Sequence, residues 1–211
     1  KLPEDLLADE KHIYINGEKA YIATTVAQDC VLGASISLSS DEDGLTEAYG
    51  HFQEEALHLN PEYKPKTVNT DGWSATKKAW LNLFPLIVMI ECFLHAFLKI
   101  RNCCKKRFKD IYPEIAQRVW DVYRAIDAAS FLSEIDALQK WAAEKLQDTG
   151  SALQSVLKLC AKADRFVLAF EYPNAHRTST MIDRHMLPMD RWLFHTKHFH
   201  GHLLSAEKAT R

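Results

Sequence analysis

No apolar run in this chain approaches the roughly 18 residues that a membrane-crossing helix needs, and no charged-then-apolar leader opens it. The expected location is therefore intracellular. Cysteine occurs only five times, at 30, 92, 103, 104 and 160, an odd number without the spacing of a disulfide framework, which fits a reducing compartment. Excess positive charge is missing too. With 26 Lys and Arg against 28 Asp and Glu the formal net charge is -2, which argues against a globally basic nucleic-acid binder. There is no internal repeat and no low-complexity tract; Lys1 opens without Met and Arg211 ends without a Pro or Gly stop, so the chain is expected to be a piece of a longer polypeptide.

What is present is 211 residues, 47% hydrophobic and 26% charged, enough to bury an ordinary core in one elaborated domain. Residues 6–15 read as a strand carrying an acid pair, Asp9-Glu10. Asn16-Gly17 is a strong hairpin signal, and residues 20–27 and 31–38 supply two further β-branched strands joined by a polar turn at Gln28-Asp29. Acidic residues at 41–43 then open a helix over 45–59, with Leu45, Ala48, Phe52, Ala56 and Leu59 on one stripe. A short β-rich run at 66–70 ends in Asp71-Gly72, where glycine permits a sharp turn. A helix over 75–83 follows with Ser74 as its cap, and the apolar run 86–90 reads as a buried parallel strand.

From Cys92 to about Phe170 the pattern is helical, with Trp120, Tyr123, Ile126, Phe131, Ile135, Leu138 and Trp141 near helical spacing and a short amphipathic piece at 151–160. The expected organisation is a mixed α/β core over residues 1–91, a helical insertion over 92–170 and a closing helical segment over 171–211. That last helix is expected to start at Thr178-Ser179, and Gly201 to end it or its extension.

Three carboxylates stand where carboxylates are otherwise awkward: Asp9 within a strand, Asp71 at a strand exit, and Asp183 in a helix among Met181, Ile182 and Met186. Taken singly, each has an ordinary structural role as an edge-strand charge, a turn residue or a solvated helix position. Taken together, such acids can hold two divalent ions about 3.5 to 4 Å apart for phosphodiester chemistry, and hard oxygen donors suit Mg²⁺ or Mn²⁺. The element order β-β-β-α-β-α-β-α is by analogy that of the ribonuclease H-like fold, a five-stranded mixed sheet in which the first and fourth strands are neighbours; Asp9 and Asp71 would then face each other.

The set Asp9 in LLADEKHIYING, Asp71 in VNTDGWSATKKAW, Cys92-x-x-His95 before KIRN, and Thr178-Ser179-x-x-Ile182-Asp183-Arg184 resembles the catalytic domain of DDE/D transposases, with the likeness strongest to Mutator-like and related prokaryotic insertion-sequence enzymes. It covers nearly the whole chain, with acid spacings of about 60 and 110 residues. The resemblance implies metal-dependent cleavage and strand transfer at transposon ends, with Asp9, Asp71 and Asp183 as ligands of two Mg²⁺ or Mn²⁺ ions. It also implies double-stranded DNA as partner, a homo-oligomer, no membrane association and a cytoplasmic, nucleoid-associated location. The alternatives are a ribonuclease H-like nuclease that does not join ends and a non-catalytic DNA-binding remnant. One departure is that the third acid is Asp where most such enzymes have Glu. Asp190, two helical turns on and also followed by Arg, is its rival, and Glu10 points to the strand face opposite Asp9.

Other groups divide between chemistry and structure. His95 would contact the scissile phosphate or orient an acid if the resemblance holds. Cys92 and His95 with Cys103 and Cys104 invite zinc, but their spacing matches no common structural zinc pattern. Lys99, Arg101, Lys105, Lys106, Arg107 and Lys109, with no acid among them, and Arg184 are candidate DNA contacts, although a charge run is ordinarily a solvated helix face. Trp73 can stack on an unpaired base or belong to the core. The histidines at 195, 198, 200 and 202 alternate without sharing a helix face, and read as solvated or phosphate-facing.

Overall fold

The structure, a computed structural model, describes residues 1–193 and Ser205, with no side-chain description over 188–193. The side chains of Asp190, Arg191 and Trp192, together with Gly201 and the histidines at 195, 198, 200 and 202, therefore lie outside the described residues. The described chain forms two compact units, one made of Lys1–Ile90 with the described residues from Asn174 onward, the other of Glu91–Pro173.

The first unit is built on a mixed five-stranded sheet of order β3-β2-β1-β4-β5. Strands β1 (Asp5–Ile15), β2 (Glu18–Ala27) and β3 (Cys30–Ser37) form an antiparallel meander. The first turn uses Asn16 and Gly17 at φ 53° and 89°, the mirror-image turn that matches strand twist; the second reaches the same left-handed region without glycine, at Gln28 and Asp29 (φ 50° and 59°). Helix α1 (Glu42–Leu59) is capped by Asp41, whose side chain accepts from the Gly44 N–H at 2.9 Å. Strand β4 (Thr67–Thr70) then runs parallel to β1, with Asp5, Leu6 and Leu7 opposite Thr67, Val68 and Asn69. Helix α2 (Ser74–Leu83) and strand β5 (Val88–Glu91) follow.

Residues 6 to 8 of β1 read as an unbroken apolar run because the strand is covered on both faces. Leu6 and Ala8 pack with Leu45, Tyr49 and Phe52 of α1 and Ala79 and Trp80 of α2. On the other face Leu7, beside Val26 of β2, meets Ile182 and Met186 of the last helix, α8 (Thr180–Leu193). Alternation along the strand thus sets odd-numbered β1 residues on the face where Leu7 meets α8 and even-numbered ones on the face where Leu6 and Ala8 meet α1 and α2.

The second unit is helical: α3 (Phe93–Arg107), α4 (Tyr112–Arg124), α5 (Ala128–Lys145), α6 (Gly150–Cys160), α7 (Ala163–Val167) and a 3-10 turn, Leu168–Phe170. Phe93, Phe97, Ile100 and Cys104 form the inner stripe of α3 and share one core with Ile115, Val119 and Val122 of α4 and Phe131, Ile135 and Leu138 of α5. Within it the Glu91 carboxylate, only 2% exposed, is held by Lys162 at 2.6 Å and Arg165 at 2.5 Å.

Five sequence expectations need correction. Leu59 is 74% exposed, because it ends α1; beyond the turn, buried Tyr63 packs against Phe52 instead, with ring centroids 6.3 Å apart. The cap of α2 is Trp73, with no side-chain cap bond, and Ser74 is already helical. Strand β5 starts at Val88, because the segment around Pro85, which has no N–H to give a ladder, closes a turn from Ile87 N–H to the Phe84 carbonyl at 3.0 Å; Leu86 is left 88% exposed. Ile126 lies in the α4–α5 link and is 89% exposed, while α8 begins at Thr180 rather than Thr178.

Candidate active site

The β1–β4 ladder carries Asp9 and Asp71 to the same end of the sheet. Asp5 pairs with Thr67 and Leu7 with Asn69, so the same register carried on by two residues brings Asp9 level with Asp71 at the exit of β4. Opposed residues of a parallel pair share a face, here the face that Leu7 shows to α8. Both acids are half-buried. Asp9 Oδ1 accepts from the Glu10 N–H at 2.9 Å, and Asp71 Oδ1 accepts from the Trp73 N–H at 2.7 Å. Gly72, at φ 88°, makes that second loop possible, since a side chain there would be strained.

Beneath them, in the other layer, lies Glu10. Its Oε1 accepts from the Tyr49 hydroxyl and from Thr76 Oγ1, each at 2.7 Å. Burial pushes its carboxyl up to about 7; the two hydrogen bonds pull against that, and the charges of Asp9 and Asp71 add to it. Both site acids therefore act on the same buried group. Glu10 is on the face expected from alternation, and its role is to fasten β1, which carries Asp9, to the helix that follows Asp71.

Asn69 is a residue that the sequence reading passed over. It is 1% exposed, and its Nδ2 donates to the His176 carbonyl at 2.8 Å, fixing the segment that leads into α8 onto β4. The available signal was an amide in the middle of a β-branched strand, two residues before the acid. Burial also pushes the His176 imidazole below the usual histidine range.

Helix α8 delivers Ile182 and Met186 to the sheet and leaves Asp183 exposed. Among the described residues no group of three or more His, Cys, Asp and Glu side chains stands close enough to hold a metal ion. Asp9 and Asp71 are thus brought together, while Asp183 does not complete a set with them in this arrangement. Arg184 and His185 are turned to Asp29 in the β2–β3 turn, at 3.4 and 3.2 Å, an exposed pairing that ties α8 to the sheet edge. Two adjacent carboxylates at a strand exit fit a hard divalent cation as part of its ligand set.

The remaining candidates belong to the helical unit. Cys92 is the buried N-cap residue of α3 and His95 is half-buried in its first turn. Neither joins Cys103 and Cys104 in a metal-binding group among the described residues. Lys99, Arg101, Lys105, Lys106 and Arg107 lie on the exposed side of α3, and the last three also complement the negative end of the helix dipole. No helix among the described residues is long and apolar enough to cross a membrane.

No family model matches the chain, and no curated protein matches its sequence. Among solved structures, a chain in the cryo-EM structure of the simian T-cell lymphotropic virus intasome in complex with PP2A regulatory subunit B56 gamma is similar over 60% of this chain and 50% of that one, at 13% identity and a TM-score of 0.32. The match thus spans about half the length of that chain. A likeness of this size says nothing about function.

Proposed function

We propose that this chain is the catalytic domain of a DDE/D-type DNA transposase with a ribonuclease H-like core, cleaving phosphodiester bonds at transposon ends and transferring the freed strand to target DNA. The observation that carries the reading is that Asp9 and Asp71 each stand two residues past the paired Leu7 and Asn69, and that both act on the Glu10 carboxyl. Ligands gather at the carboxyl ends of parallel strands in α/β sheets, and Asp71 directly follows Thr70, the last residue of β4.

Asp9 and Asp71 would hold Mg²⁺ or Mn²⁺, with a third carboxylate from α8, Asp183 or its rival Asp190. When bound, two such ions lower the pKa of attacking water and stabilise the leaving oxygen. The chain's own part is to fix the acids: Trp73 N–H and Gly72 shape the Asp71 loop, and Glu10 braces β1 against α1 and α2. Lys99, Arg101, Lys105, Lys106, Arg107 and Arg184 are the proposed phosphate contacts, and His95 a proposed positioning group. The enzyme is expected to act as a cytoplasmic, nucleoid-associated homo-oligomer on double-stranded DNA.

The test is strand transfer by the full-length parent protein. Asp71→Asn should abolish joining of pre-cleaved ends bearing 3′-hydroxyls and leave end binding intact; joining that persists in the variant overturns the assignment. Cleavage without joining by the unaltered protein would identify a nuclease of the same core. One observation favours a further reading, a non-catalytic DNA-binding remnant: among the described residues Asp183 stands outside any metal-sized cluster. Calorimetry showing no Mn²⁺ binding by the intact parent decides for it.

A further inference from the structure

The sheet has two edges, and they are built differently. At one, β5 is only four residues long, which leaves little backbone to pair. At the other, β3 is eight residues long and has no outer neighbour among the described residues. Edge strands are ordinarily guarded by lysine, proline or other charged side chains, yet residues 30–40 contain no proline and no charge of either sign. The strand has one irregularity: Leu32 is the extra residue of a bulge, since Gly33 lies opposite Thr25 and Val31 opposite Val26. Beyond it, residues 33–37 pair with β2 without interruption.

This free edge borders a groove. Residues 31–35, His51, Phe52 and Glu55 enclose about 180 Å³ between β3 and α1. Five consecutive strand residues line it, so it follows the edge itself and not one face of the sheet. Gly33 lets the strand lie close against α1, since a Cβ there would stand 3.0 Å from the Phe52 Cβ. An extended chain laid in such a groove gains main-chain hydrogen bonds from the strand and places alternate side chains against the helix.

The charge beside the groove selects the kind of chain that fits. Residues 20–63 hold eight Asp and Glu and no Lys or Arg, in a chain whose formal net charge is only -2. Glu47, Glu54 and Glu55 are exposed on α1, at helical spacing around His51, and form an acidic rim. A polyanion such as DNA is repelled by that rim. A second copy is disfavoured as well: an antiparallel pair of β3 strands keeps both α1 helices on one face of the joined sheet and sets the two acidic rims together. We propose that the β3 edge and the groove beside α1 take up an extended, lysine- or arginine-bearing segment of a partner protein as an added strand. This goes beyond the reading of Asp9 and Asp71 and does not depend on it.

The test uses the full-length parent without DNA or metal and a fluorescently labelled peptide, Lys-Thr-Val-Thr-Val-Thr-Lys, which carries lysine and valine on one face of a strand and threonine on the other. One counterpart replaces both lysines by glutamate; another is methylated on the backbone nitrogen of every valine and threonine. Fluorescence anisotropy should show saturable binding of the lysine peptide. Binding should be at least about tenfold weaker for the methylated peptide, which cannot form a ladder, and for the glutamate peptide, which meets like charge. The double variant Glu47→Lys with Glu55→Lys, altered only at exposed helix positions, should reverse the preference, so that the glutamate peptide binds more tightly. No binding of the lysine peptide, equal binding of the methylated one, or a preference unmoved by the charge reversal overturns the proposal. So does sedimentation showing a dimer of the unaltered protein that Ser35→Lys converts to monomer, because a second copy would then occupy the edge.

Discussion

The Tyr49 hydroxyl donates to Glu10 Oε1 at 2.7 Å inside an otherwise apolar layer, so α1 and β1 are joined by a buried acid. The Glu10 carboxyl is raised, chiefly by burial, from its ordinary value of 4.5 to about 7. Between those values the folded chain keeps a proton that the unfolded chain has released. The stabilisation is complete below about pH 4.5 and is lost as pH rises through about 7, a change of about 3 kcal/mol. Denaturant titrations in chelator should show this decline. Glu10→Gln, which keeps an acceptor for Tyr49 and Thr76, should flatten it, and an unchanged slope in that variant would place the titration elsewhere.

Divalent metal should stabilise the fold through Asp9 and Asp71. At 100 times its dissociation constant, one bound ion adds about 2.7 kcal/mol. Mn²⁺ should raise the melting temperature of the unaltered protein, and a chelator should reverse the shift. Asp9→Asn and Asp71→Asn should lose the shift while keeping the metal-free melting temperature, since an Asn oxygen can still accept from the Glu10 or Trp73 N–H. A full Mn²⁺ shift in both variants would mean that the ion binds elsewhere.

In the helical unit, Glu91 is the buried member of a three-residue ion network. Glu91→Ala leaves Lys162 and Arg165 without their carboxylate, at a cost of about 1.5 to 3 kcal/mol. Lys162→Met and Arg165→Met should each cost less, because those side chains are 31% and 48% exposed and partly screened by water. Thermal unfolding of the three variants checks the order, and an Arg165→Met loss as large as that of Glu91→Ala would contradict it.

Thiol reactivity should divide by burial. Cys30 is exposed, whereas burial pushes the Cys104 and Cys160 thiols up to about 11. Since the thiolate is the reactive form, iodoacetamide at pH 8 should label Cys30 in the native chain and reach Cys104 and Cys160 only after unfolding. Peptide mass spectrometry reads this directly; rapid native labelling of Cys104 would show that the inner face of α3 opens.

The sheet was legible because its signals are local. Asn16-Gly17 marks the first hairpin, Asp71-Gly72 the end of β4, and β-branched runs the strands between. Alternation alone put Glu10 opposite Asp9. The ends of elements were less legible, since Leu59 and Leu86 look apolar enough to be buried and only the chain's next turn decides otherwise. The polar contacts across layers were not legible at all. Nothing in the sequence around Thr76 or Tyr49 announces that both donate to Glu10, or that Asn69 holds a carbonyl more than a hundred residues away. Such pairings depend on the three-dimensional meeting of distant segments, and pattern reading within one segment does not reach them.

Strand β4 is only four residues long, yet Asn69 grips the returning chain and the next residue but one is Asp71. Both depend on the same parity. Gaining or losing a single residue in 67–70 would swing the amide and the carboxylate to the wrong side together, releasing the closing helix and emptying the acid pair in one step. The strand should therefore be the stretch of this chain least tolerant of insertions and deletions, where a change of length does more harm than most changes of side chain.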